Sequence, residues 1–228
     1  MATDALARDI ARPRTGARTR VLDLRIGGTL LLLAGAAILL AIISAEALYP
    51  APYTTGGNEI SDLGGTRPPE GIVLQPSATI FNLSMLAVGL LVAVAAWFVQ
   101  GGFGRLAVTV PVLVVGVAAF GVGLFPGDTG TPHALFAMAT FVSGGIGALT
   151  TGLVARGPFR SLTVVLGLIG LGTLILYLLL GDASPMAALG IGGLERWIVY
   201  PIVIWLIAFG AYQLGVAEGG AEPAGLDA

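Results

Sequence analysis

The chain has 228 residues, with 11 basic residues (all arginine), 13 acidic residues, one histidine, no cysteine and a net charge of −2. Only 11% of it is charged, less than half the roughly 25% of ordinary soluble domains, and its mean hydropathy is +0.92. This composition excludes a soluble globular domain, disulfides, thiolate metal sites and cysteine nucleophiles, and it lacks the basic stripe of a nucleic-acid binder; a bilayer is the solvent that fits.

A membrane-crossing helix needs about 20 apolar residues. Six runs qualify, at roughly 26–47, 78–99, 106–125, 134–155, 162–180 and 197–216. None carries a charge at mid-depth, where one costs roughly 2.5–3.5 kcal/mol. The predicted fold class is all-α: a polytopic membrane protein, a six-helix transmembrane bundle with an outer loop cap. Residues 1–25 read as an arginine-rich cytoplasmic leader and 218–228 as an acidic cytoplasmic tail, both expected to be disordered, flanking a membrane domain over 26–217. The first run ends in Ala45-Glu46-Ala47, which has the form of a signal-cleavage site. A signal core spans only about 7–15 residues, so the longer run is read as a retained span.

The connection after the first span, 48–77, is the longest and contains "NEISDLGG" from Asn58 to Gly65. Ile60 and Leu63 lie three apart, so one helical turn would press both onto the bundle. Asp62 would then face the helix mouths, and Gly64-Gly65 allows a tight turn. Asn82 falls about one turn into the second span, where an amide needs partners. "FPGD" ends the third span with Asp128. His133 opens the fourth, just after Pro132. In the sixth, Glu195 suits a helix N-terminus. Adjacent residues do not face each other on a helix, so Arg196 is expected to take a different partner, Asp62 or Asp128. Trp197 and Tyr200 read as interfacial anchors, and Pro201 falls early enough for its missing N–H to be tolerated.

Arginine bias predicts orientation. Arg8, Arg12, Arg14, Arg18, Arg20 and Arg25 precede the first span; Arg105, Arg156 and Arg160 occupy the second and fourth connections; only Arg67 and Arg196 fall on the other side. Both termini are therefore expected in the cytoplasm of a cell (plasma) membrane protein. Ser61, Asp62, Asn82, Asp128, His133, Glu195, Arg196 and Tyr200 then collect on the outer face and form the candidate site.

Asn58 with "ISDLGG", "IFNLS" opening the second span, "FPGD", the histidine opening the fourth and "ERWIVYP" opening the sixth occur in the order of one pattern. Over residues 26–216 the chain resembles domain-of-unknown-function family 998, prokaryotic six-span membrane proteins. The resemblance implies a six-helix membrane fold with an outer polar cluster. It carries over to Ser61, Asp62, Asn82, Pro126, Gly127, His133, Glu195, Arg196, Tyr200 and Pro201, and it supplies no reaction.

Three functions compete. The first is a binding or transport-related protein that holds a small polar ligand, an ion or a lipid headgroup in an outer pocket. No span is visibly broken into matched halves, as repeat-built transporters are. The second is a structural or accessory protein whose polar cluster only pins the cap. The third is a metal-assisted hydrolase using His133, Asp62, Asp128 and Glu195. One histidine is a thin ligand supply, there is no G-x-S-x-G, and Ser61 has no base beside it in sequence. The sequence assigns no catalytic residue and leaves open whether the protein is an enzyme; no metal or cofactor is expected, and membrane lipids are the expected partners.

Overall fold

The computed structural model describes residues 15–219. Six long helices account for most of them: α1 (Thr15–Ala47), α2 (Ser77–Phe103), α3 (Leu106–Leu124), α4 (Thr131–Thr151), α5 (Pro158–Leu180) and α6 (Gly190–Gly219). All six are long and apolar enough to cross a membrane, and no strand occurs among the described residues. The protein is a six-helix transmembrane bundle.

The helices form a ring. Each packs on the next, α6 closes onto α1, and α4 also touches α6, which leaves α5 peripheral. Small residues permit the closest approach. A Cβ added at Gly89 of α2 would lie 2.3 Å from the Phe120 backbone nitrogen, and one at Gly116 of α3 would lie 2.3 Å from that of Ala93. Only hydrogen fits at such a seam. Trp205 and Phe209 of α6 are fully buried, and the Trp205 indole N–H donates to Thr151 Oγ1 at 3.1 Å.

Two helix starts differ from the sequence reading. α1 begins at Thr15, so residues 15–25 are helical rather than disordered; the leader before Thr15 and the tail after Gly219 lie outside the described residues. These extra turns dock on the end of α2. Arg20 Nε donates to the Gly102 carbonyl at 2.8 Å, and Leu24 is buried against the bare face of Gly102. α6 begins at Gly190 rather than near 197. Glu195 is therefore more than a turn inside the helix instead of at its N-terminus. Pro201 is likewise interior, where its ring removes one intrahelical bond.

Residues 48–76 fold across one end of the ring. Ser61–Leu63 form the expected single turn, a 3-10 helix. Ile60 and Leu63 are both buried, and the Ser77 hydroxyl donates to the Leu63 carbonyl at 3.0 Å. The cap rests on glycines. A Cβ at Gly127 would come within 1.9 Å of Gly65 O, and one at Gly192 within 1.9 Å of Asn58 O.

Candidate functional site at the capped end

The helices alternate in direction, so all eight predicted residues lie at the capped end. They do not form one cluster. Three groupings occur, and α6 separates two of them.

Arg196 belongs to the first. Its Nη2 donates to Glu46 Oε1 at 2.5 Å and to the Tyr53 hydroxyl at 2.8 Å. Its Nη1 donates to three backbone carbonyls: Thr55 at 2.9 Å, Asn58 at 2.9 Å and Gly192 at 3.0 Å. Only Nε is buried without a partner. The expected ion pair with Asp62 or Asp128 is not formed; Glu46, at the end of α1, takes the charge instead. The planar guanidinium fork suits this task, because it presents five donors at fixed angles. Tyr53 passes the web on, donating to Glu59 O at 2.9 Å. Burial pushes the Tyr53 phenol well up despite the pull of Arg196, so the hydroxyl keeps its proton and can donate. Asp62 turns back into the cap rather than toward the helix mouths. Its Oδ2 accepts the Glu59 N–H at 3.0 Å and Asn58 Nδ2 at 3.5 Å.

The second grouping underlies Gly64-Gly65. Asn82 Nδ2 donates to Gly64 O at 3.0 Å. Asn82 Oδ1 and Asp128 Oδ1 are buried without hydrogen-bond partners, and a Cβ at Gly65 would sit 2.9 Å from that Asp128 oxygen. The amide joins α2 to the cap rather than to another spanning helix.

The third grouping, Ser61, His133 and Glu195, faces open space. All three are buried from bulk solvent. The Glu195 carboxyl accepts the backbone N–H of Ile60. His133 Nδ1 lies 2.9 Å from Phe125 O. A carbonyl can only accept, so Nδ1 carries the hydrogen and the neutral ring keeps Nε2 as an acceptor. These three side chains, with Ala137 and Phe141, line both an apolar central cavity of about 80 Å³ and a lateral groove of about 240 Å³. No α5 residue lines the central cavity, whereas Leu174, Tyr177 and Leu178 of α5 line the groove. Glu59 and Arg67 stand at the groove's capped end, paired at 2.5 Å. Burial pushes the Glu59 carboxyl up; Arg67 pulls it down, and Asp62 adds to the rise.

Tyr200 joins none of these partners. It is half-buried and lines a separate open cleft of about 500 Å³, with Thr55, Gly56, Arg196 and Trp197. Among the described residues, no group of three or more His, Asp or Glu side chains is placed to hold a metal ion, so the hydrolase reading has no ligand set among them.

A model of the family described as "Protein of unknown function (DUF998)" matches residues 32–212. The chain belongs to this family. The matched region takes in the cap and every residue of the three groupings, so both the web and the groove are built within the DUF998 portion. Searches of curated proteins and of solved structures return no significant match.

The sequence reading missed Glu46, Tyr53, Glu59, Arg67 and Tyr177 as parts of these groupings. Glu46 had a signal, as the one carboxylate touching a span. The Thr55 and Asn58 carbonyls had none, since every residue carries a carbonyl.

Proposed function

We propose that this protein binds a membrane amphiphile, with the headgroup against Ser61, His133 and Glu195 and the chain in the groove between α4 and α5. The observation that carries this is a coincidence of polarity. The groove walls are apolar, including Ala134, Ile191 and Ile198, and its polar groups lie toward one end. Met138 and Leu178 line it and are exposed; in a bilayer both would face lipid, so a ligand enters from hydrocarbon. Preformed pockets of mixed polarity are the usual form of a small-molecule site. A lipid or lipid-like molecule fits this better than a free ion.

Ala134→Trp tests the proposal. Ala134 is exposed, so the added indole fills the groove without entering the core. Native mass spectrometry should find an amphiphile retained by the wild type and lost from the variant, at equal melting temperature. Equal retention by both would overturn the reading.

The competing structural role is favoured for Arg196, Asp62 and Asn82, because the cap supplies partners to all three. We further propose that the capped end faces outward in a cell membrane; the arginine bias supports this. The chain has no native cysteine. A Glu70→Cys variant, at an exposed position of the cap, should react with an impermeant maleimide on intact cells, and reaction only after lysis would reverse the orientation.

A further inference from the structure

We infer that the bound amphiphile carries two hydrocarbon arms, a long one in the groove between α4 and α5 and a short one in the central cavity. This rests on the amphiphile reading above and names the ligand class for it.

The two spaces meet at the polar end. Ser61, His133, Ala137, Phe141 and Glu195 line both of them, so a headgroup held there stands at the mouth of each. Beyond that point they diverge. The groove reaches exposed Met138 and Leu178 and opens to lipid, so an arm lying in it can run on past the protein. The cavity lies inside the ring, walled by α1, α2, α3, α4 and α6. Its lining descends from Glu195 to Leu206 on α6, about three helical turns. It holds about 80 Å³ against about 240 Å³ for the groove, so the arm inside it is the shorter one.

Below the headgroup the cavity offers water nothing. Its polar lining is Ser61, His133 and Glu195 at the capped end and Thr140, whose hydroxyl already donates to Phe136 O at 2.9 Å. A buried water needs about two to four polar partners, and apolar cavities without them stay dry and take apolar guests. Side chains around an unfilled void lack contacts on one side, and an alkyl arm supplies them. A single-chain amphiphile fills the groove and leaves this void; a second, short arm fills both. Headgroup charge plays no part in this, so a neutral glycerol head suits the test.

Three probes are compared: dodecyl glycerol ether, the same molecule with a hexyl ether on its second hydroxyl, and didodecyl glycerol ether. Each is offered at equal mole fraction in neutral-detergent micelles to the full chain, and binding is read by native mass spectrometry and by melting temperature. The dodecyl-hexyl ether should bind at least about tenfold tighter than the single-chain ether, which is about 1.4 kcal/mol. The didodecyl ether should bind no tighter than the dodecyl-hexyl one, because the cavity ends. Ala119 is buried and lines the cavity but not the groove. Ala119→Leu should fill that space, erase the hexyl advantage and leave single-chain binding and the melting temperature of the free protein intact. Equal binding of the single-chain and dodecyl-hexyl ethers, abolished in both by Ala134→Trp, would overturn the two-arm inference while leaving the groove as the binding site. A further gain for the didodecyl ether, or a hexyl advantage that survives Ala119→Leu, would also overturn it. Binding of none of the three, or binding unaffected by Ala134→Trp, would overturn the amphiphile reading itself and the inference with it. The wild-type series decides without any variant having to fold.

Discussion

Glu195 and Arg196 are consecutive residues of α6, yet they serve different regions of the molecule. On one side, Arg196 satisfies five acceptors drawn from α1, the cap and α6. On the other, Glu195 meets one backbone donor, the Ile60 N–H, and then a groove. Neighbouring helical side chains point apart, so one helical turn can both hold the cap and line a pocket. The difference separates two meanings of a polar residue at a membrane edge. Where the protein supplies the partners, the residue is structural. Where partners are left open beside a cavity, the residue is available to a ligand.

The largest expected effect tests the structural side. Arg196→Met would leave Glu46 an unpaired carboxylate and would strip a donor from three carbonyls. Breaking a buried ion pair costs about 3–5 kcal/mol, a large part of the about 5–15 kcal/mol that holds a typical protein together. The variant should be lost from the monodisperse peak in detergent. Arg196→Lys should recover only part of the melting temperature, because an ammonium cannot reproduce the fork. If Arg196→Met melts like the wild type, the web does not hold the cap and the separation of the two regions fails.

The bundle was legible in the sequence because its cause is local. Six apolar runs with clean polar breaks dictate six spanning helices, and the Ile60/Leu63 spacing located the docked turn. The site was legible only in outline. That Ser61, His133 and Glu195 share an end follows from helix alternation. That Arg196 pairs with Glu46 does not, because it depends on how α6 is rotated against α1 and on where the cap backbone runs. The sequence reading gives Arg196 a partner other than the adjacent Glu195, Asp62 or Asp128, whereas the acid it meets is Glu46. The start of α6 at Gly190 was also hidden, since glycines at 190, 192 and 193 argue against a helix. Tertiary contact overrides that preference: Gly192 lets α6 lie against the Asn58 carbonyl.

A smaller effect is expected across the helix. Glu195→Gln keeps the size of the side chain and an oxygen that still accepts the Ile60 N–H. One hydrogen bond is worth about 1 kcal/mol net, and this change weakens a bond rather than deleting it. Melting should shift by a small fraction of the Arg196→Met loss. A collapse equal to that of Arg196→Met would make Glu195 a second structural anchor and would merge the two regions into one.

The smallest effect concerns Glu59, which belongs to both. Its backbone carbonyl accepts from Tyr53 on the Arg196 side, while its carboxyl stands beside the groove. Burial raises its folded pKa above the unfolded value, so the folded chain holds this proton more tightly. The resulting stability is complete below the ordinary carboxyl pKa of about 4.3. It is lost as pH rises through the raised folded value. Part of the melting temperature should therefore fall between mildly acid and neutral pH, and Glu59→Gln should flatten that portion of the curve. Arg67→Ala removes the charge that pulls the pKa down, so it should move the loss to higher pH. An unchanged curve in Glu59→Gln would show that its carboxyl contributes nothing to either side of α6, and would leave the groove's capped end defined by Ser61, His133 and Glu195 alone.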